Sequence, residues 1–412
     1  MSPQERLLER FLKYVRIDTT AREGESTYPS SPGQLELGRL LVEELRALGL
    51  SDARQSDKGI VTTTVPSNVG RAPVIAFNAH VDTSPETTGA GVKPQVVRSY
   101  GGGNLSLPGN SDAVIRVSDN PDLKRLIGCT LITTDGTTLL GADDKAGVAV
   151  IMEAAARLQQ QPEIKHGAIR ICFTCDEEIG HGVDHVDLGE LGATVCYTLD
   201  GHGADEIDVE TFSADLAIVT VRGVNIHPSV AKGRMTNAIR AAADFLSRLP
   251  RDTRSPETTA DREGFLHPYH MDGGVGQVTL RILLREFEAA ALADLASVLK
   301  SAAAETVAAF PAASIDIQIV PQYRNMAEGL ALEPRAAGLA KAALERLGRT
   351  PRLTIIRGGT DGSQFTARGL PTPNLSTGEH NPHSILEWTC LEEMERAVEM
   401  LIELAQLWGR ER

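Results

Sequence analysis

Short apolar runs alternate with helix-period segments through the first half of the chain, and this alternation limits the fold more than any other feature. PVIAFNA (73–79), AIRICFT (168–174) and ATVCYTL (193–199) have the length and content of buried strands. Between and before them, QLELGRLLVEELRALGL, which stops at Gly49, and DDKAGVAVIMEAAARL have the spacing of helices. Strands of this kind alternating with helices build a largely parallel sheet with covered faces. From about residue 211 the texture changes. DLAIVTVRGV, GQVTLRILL and SIDIQIV alternate apolar and polar residues, as half-exposed strands do, and two helical stretches, TNAIRAAADFLSRL and EAAALADLASVLKSAAAETV, lie between them. After Tyr323 the first pattern returns with a helix, the strand LTII and a closing helix. The expected fold is therefore α/β: a mainly parallel-sheet domain, residues 1–210 and 324–412, carrying an inserted α+β domain at 211–323. A chain of 412 residues suits two domains.

A formal net charge of −14 argues against nucleic acid or an anionic membrane as partner. No run approaches the roughly 20 apolar residues of a membrane span. The N-terminal segment has Leu7, Leu8, Phe11, Leu12 and Val15 at helical spacing among charges, unlike a signal peptide, so a cytoplasmic location is expected. Five cysteines do not make a disulfide framework, and the CxxC of Cys172 and Cys175 sits in an apolar strand where core packing explains it.

Acids and histidines gather where strands end. His80 and Asp82 follow PVIAFNA, where an open α/β sheet presents ligand groups. His80 fits a metal ligand steadied by Asp82 through its other ring nitrogen, although a surface turn fits the pair as well. Asp143 and Asp144, in LLGADDKAG, suit either a cation or the N-terminus of the helix that follows. Asp176, Glu177 and Glu178 follow AIRICFT, as an exposed acidic loop or as a metal ligand beside a general base. Asp200 closes YTLDG, and His380 and His383 lie in a loop before the last helix. Imidazoles and carboxylates arriving together from strand ends suit zinc.

In this order and spacing the motifs resemble the peptidase T family of the co-catalytic two-zinc exopeptidases. The likeness runs from LLERFLKYV through HVDTSPE, TLITTDGTTLLGADDKAG, DEEIGHGVDHVDL and YTLDG. It continues through NIHPSVAKGRMTNA and YRNM to IRGGTDGSQF and LPTPNLSTGEHNPH. The resemblance implies a metallo-aminopeptidase that releases the N-terminal residue of tripeptides with water activated by two Zn2+ per subunit. It makes His80, Asp143 and Asp200 the ligands of one zinc and Asp143, Glu178 and His383 those of the other. His383 is preferred to His380 because the family's ligand histidine precedes a glutamate by four residues, here Glu387. Asp82 becomes the partner of His80, and Glu177 the general base. The inserted domain becomes a lid, in which His227 would stabilise the oxyanion and Arg285 would grip the substrate carboxylate. Arg357 is a further anion contact.

Lids of this superfamily often pair, so a homodimer through the lid is a further implication, although nothing in the sequence requires it. The family has an aromatic residue before the last ligand and a basic one after it. Here Pro382 and Ser384–Ile385–Leu386 stand instead, which leaves the preferred side chain open. A related two-zinc dipeptidase or an N-acyl amino-acid amidase would share this site, whereas an inactive metal-binding protein would have no need of Glu177.

Overall fold

The computed structural model describes residues 2–412. The chain divides into two units, one comprising residues up to Val209 with Glu328–Thr354 and Thr360–Arg412, the other Glu210–Ala327 with Ile355–Gly359. The short segment Ile355–Gly359 joins the inserted unit although the sequence pattern alone places it with the larger domain. The reason is visible in Arg357, whose guanidinium lies over the rings of Phe212 and Phe265.

The larger unit is built on an eleven-stranded sheet. At its centre four parallel strands run Ile169–Thr174, Ile75–His80, Val195–His202 and Asn374–His380, in that spatial order. Antiparallel strands flank them, among them Val61–Val65 on one side and Trp388–Cys390 on the other. The helix Ala142–Gln160 packs on Ile75–His80 and against the helices Pro3–Tyr14 and Leu391–Trp408. Residues Gly147–Leu158 of that helix are all buried, in keeping with its alanine-rich sequence. Gly147 permits the close approach: a Cβ there would stand 1.9 Å from the carbonyl oxygen of Leu199. The opposite face is covered in part by the helix Asp361–Ala367, with Phe365 among Ala76, Cys172 and Cys196. Both cysteines of the CxxC are buried, and all five cysteines are free.

Asn374–His380 is a polar sequence that is buried along its whole length. Several of its side chains hydrogen-bond to neighbouring backbone. Asn374 Nδ2 donates to the carbonyl of Asp200 at 2.8 Å, its Oδ1 accepts from the Asp200 N–H at 3.0 Å, and Thr377 Oγ1 donates to Gly201 at 3.1 Å. His380, expected in a loop, is the last residue of this strand.

The inserted unit holds a four-stranded antiparallel sheet in the order Phe265–Gly273, Gln277–Glu286, Ser213–Arg222, Ser314–Tyr323. The helices Ala238–Ser247 and Leu292–Ala309 bury Phe245, Leu295 and Leu299 against it. Phe265–Gly273 does not read as a strand because it contains Pro268. It is an edge strand whose register shifts between Pro268 and His270, which is where a proline is tolerated.

In the larger unit, Glu153 ties the first helix to Ala142–Gln160. Its fully buried carboxylate accepts from Arg6 at 2.7 Å, from Arg10, and from Arg157 at 3.1 Å. Removing one partner of a buried ion pair leaves the others desolvated and unpaired. Glu153→Ala should therefore lower the free energy of unfolding by about 3–5 kcal/mol, measured by chemical denaturation, and a change below about 1 kcal/mol would show that water replaces the carboxylate without cost.

Candidate metal centre

The carboxyl ends of the central strands converge on one cluster. His80 ends its strand with its ring buried, Glu177 and Glu178 follow Ile169–Thr174, and Asp200 lies near the end of Val195–His202. Asp143 comes from the first turn of Ala142–Gln160, where its φ of −76° and ψ of 106° are not helical and the peptide to Asp144 is cis. His383 follows Asn374–His380 in a turn with φ of 63°.

Asp143 stands between the two histidines. Its Oδ1 lies 3.0 Å from His80 Nε2, and its Oδ2 lies 3.2 Å from His383 Nε2. Asp200 Oδ1 is 3.5 Å from His80 Nε2, and Glu178 Oε2 is 2.9 Å from His383 Nε2. Two groups, His80–Asp143–Asp200 and Asp143–Glu178–His383, thus each offer three ligand atoms within 4.8 Å of one another and share Asp143. Glu178 Oε1 and Asp143 Oδ1 are buried without a hydrogen bond. Buried oxygens of that kind need a partner, and a cation supplies one.

The neighbouring carboxylates spend their oxygens on backbone and orient the cluster. Asp82 accepts from the N–H groups of Glu177 and Glu178, at 3.1 Å each, while its Oδ1 stands 3.4 Å from His80 Nδ1. Asp144 accepts from the His80 N–H at 3.0 Å and from the Gly147 N–H at 3.1 Å. The two adjacent aspartates therefore differ: one faces the histidines, and the other fastens the helix to the strand. Glu387 accepts from four consecutive N–H groups, Leu140 through Asp143, at 2.6 to 3.1 Å. In the sequence Glu387 is only a spacing marker for His383. Its grip on the Asp143 loop has no local signal, because the partners lie more than two hundred residues away.

Charge crowding sets the protonation of these groups. Burial, with the Asp143 charge adding to it, pushes Asp200 up to about 7 and Glu178 up to about 8. Burial also holds Glu177 well above the usual carboxyl range. Asp143 is buried too, but the imidazoles of His383 and His80, one against each of its oxygens, hold it below the usual range. Burial works against the charge on His383, yet Asp143 and Glu178 raise it to about 12.

The remaining predicted residues lie in the inserted unit. His227 is exposed, with Nδ1 accepting from the Ser229 N–H at 3.3 Å. Arg285 donates from Nη1 to the carbonyls of Asp215 and Leu284 and to Gln322, and lies over the Tyr323 ring. Arg357 donates to the Asp261 carbonyl and to Thr259 Oγ1, at 2.9 Å each.

The protonation pattern fixes a pH dependence. Unfolded carboxyls ionise near pH 4. In folded protein stripped of metal, Asp200 and Glu178 keep their protons to about 7 and about 8. The folded state then binds more protons between about pH 4 and pH 8, so its stability falls as pH rises through that window. Chelator-stripped protein should melt at a lower temperature at pH 8 than at pH 5; a melting temperature that rises over this range would contradict the carboxylate crowding.

The model of peptidase family M20/M25/M40 matches residues 139–407. The chain is 42% identical over 406 residues to Peptidase T of Geobacillus kaustophilus, covering 98% of each sequence. The crystal structure of aminopeptidase PepT from Bacillus cereus superposes with a TM-score of 0.75 at 25% identity, covering 99% of both chains. A Staphylococcus aureus tripeptidase superposes with a TM-score of 0.77 at 23% identity, again over 99% of both.

Proposed function

The chain belongs to peptidase family M20/M25/M40, in its peptidase T branch, and is a hydrolase of peptide bonds; from that premise we propose that it removes the N-terminal residue of tripeptides using two zinc ions. The observation that carries this reading is the placement of Asp143, whose two carboxylate oxygens face two different histidines at 3.0 and 3.2 Å. A carboxylate so placed is suited to bridging two ions, with His80 and Asp200 completing one set and Glu178 and His383 the other. Imidazole and carboxylate together fit zinc, and the buried oxygens without hydrogen bonds fit a cation. Bound there, the ions would supply an acidified water and a Lewis acid for the peptide carbonyl.

The chain's own groups do the rest. Asp82 orients the imidazole of His80, whose Nδ1 lies 3.2 Å from the Asp82 carbonyl oxygen and 3.4 Å from its carboxylate, and that carboxylate holds the turn that carries Glu177 and Glu178. Glu177 is the proton carrier: it takes the proton of the attacking water and returns it to the leaving amine. Burial holds its carboxyl well above the usual carboxyl range, so it takes up a proton more readily than an exposed glutamate. His227 is assigned to the oxyanion, as a donor in the manner of an oxyanion hole. Arg285 and Arg357 are assigned to the peptide carboxylate. The three hydrogen bonds of Arg285 all leave from Nη1, so Nη2 and Nε remain for a ligand.

A cytoplasmic location belongs to the same reading, supported by five free cysteines. No helix among the described residues is long and apolar enough to cross a membrane. A homodimer through the inserted unit follows from the family resemblance, and the net charge of −14 speaks against nucleic acid as partner.

The test is hydrolysis of matched di-, tri- and tetrapeptides and an N-acetylated tripeptide by zinc-loaded protein. Cleavage should be confined to the free-amine tripeptide, with Glu177→Gln slowing it at least about 100-fold while keeping the metal content. Preference for the dipeptide or the blocked peptide would overturn the tripeptide reading, and loss of metal in Glu177→Gln would overturn the role of Glu177 as proton carrier.

A further inference from the structure

A second set of ligand atoms lies in the larger unit, outside the Asp143 cluster. Asp122, His202 and His380 each bring one ligand atom within 4.8 Å of the others. His202 Nε2 lies 3.1 Å from Asp122 Oδ2, and His380 Nδ1 lies 3.7 Å from the same oxygen. The two imidazoles meet edge to face with centroids 4.4 Å apart. Ligands bonded to one tetrahedral zinc at about 2.1 Å stand about 3.4 Å from each other. These separations bracket that value, much as the 3.0 and 3.5 Å around His80 Nε2 do.

The orientation of His380 gives an independent reason. Its Nε2 pairs with Glu393 Oε2 at 2.7 Å, which assigns the proton to Nε2. Nδ1 then turns a bare lone pair toward the Asp122 carboxylate. Two electron-rich groups face each other there, an arrangement that a cation between them relieves. A carboxylate holding the far nitrogen of an imidazole is also how metal-binding histidines are commonly oriented.

The site is built rather than incidental. His380 stacks flat on Trp388, with centroids 3.7 Å apart and planes within 1°. Asn120, two residues before Asp122, accepts from Trp388 Nε1 at 3.3 Å and from Asn381 Nδ2 at 2.7 Å, which fixes the turn beside the imidazole. The second oxygen of Asp122 pairs with Arg125. His380 is buried, while the side chains of His202 and Asp122 are 50% and 25% exposed, so an ion can enter from solvent.

We propose that Asp122, His202 and His380 bind a third divalent transition-metal ion, separate from the pair shared by Asp143. It would clip the turn Pro121–Lys124 to the ends of the strands Val195–His202 and Asn374–His380. Two imidazoles and one carboxylate suit zinc, cobalt or nickel better than magnesium or calcium. The ion has a structural role and takes no part in peptide hydrolysis, so the proposal stands apart from the roles assigned to Asp143 and Glu177.

The full-length protein, stripped with chelator, reloaded with Co2+ and freed of excess ion by gel filtration, gives the metal content per chain by mass spectrometry. The wild type should hold one ion more than His202→Ala. The substituted residue is exposed, and peptide hydrolysis by the variant should stay within about twofold of the wild type. Asp122→Asn, which keeps an acceptor for His202 but removes the charge, should lose the same ion and serves as the second variant. Equal metal content in all three proteins would overturn the proposal. Loss of hydrolysis together with the ion would also overturn it, by assigning that ion to the Asp143 pair.

Discussion

Carboxylates crowd the carboxyl ends of four parallel strands, and the structure around them is organised by what that crowding demands. Asp143, Asp200, Glu177 and Glu178 share a small, largely buried volume with His80 and His383 as counter-charges. Unrelieved, negative charge at this density is unfavourable, which is why burial and mutual repulsion raise most of these groups above the ordinary carboxyl range. Asp143 is the exception, because a histidine lies against each of its oxygens. A pair of cations sharing that carboxylate would satisfy the whole set.

Such a cluster works only if the backbone around it is held still. Three further carboxylates do that by accepting from N–H groups. Asp144 binds the His80 N–H and so joins the helix start to the strand. Asp82 binds the two N–H groups of Glu177 and Glu178. Glu387 gathers the four N–H groups that lead into Asp143, and so joins the loop on one side of the sheet to the turn that carries His383. The ligand-type residues and the residues that hold them are chemically alike. Their partners alone distinguish them: imidazole in one case, backbone N–H in the other.

This explains which parts were legible in the sequence. The apolar strands and the all-buried helix after Asp143 announce themselves by composition and spacing, and with them the α/β class. The strand Asn374–His380 does not, because NLSTGEH is polar and its burial depends on hydrogen bonds to distant backbone. Phe265–Gly273 is hidden by Pro268, which is tolerable only because the strand lies at an edge. His80, Asp143, Glu178, Asp200 and His383 could be named from motif order and family resemblance. Residue type alone left each of them open, since an acid at a strand end caps a helix as readily as it faces a histidine. Nor could spacing show that Asp122, His202 and His380 come together, because they lie on three separate stretches of chain.

On the function proposed, one carboxylate, that of Asp143, joins two ions. Electron paramagnetic resonance of protein loaded with two equivalents of Mn2+ tests it directly. Ions bridged by a carboxylate at about 3.5–4 Å couple magnetically, so the wild type should show the closely spaced hyperfine pattern of an exchange-coupled pair. Asp143→Ala should abolish that pattern. A wild-type spectrum containing only the six lines of isolated Mn2+ would contradict the shared carboxylate and the two-ion centre built on it.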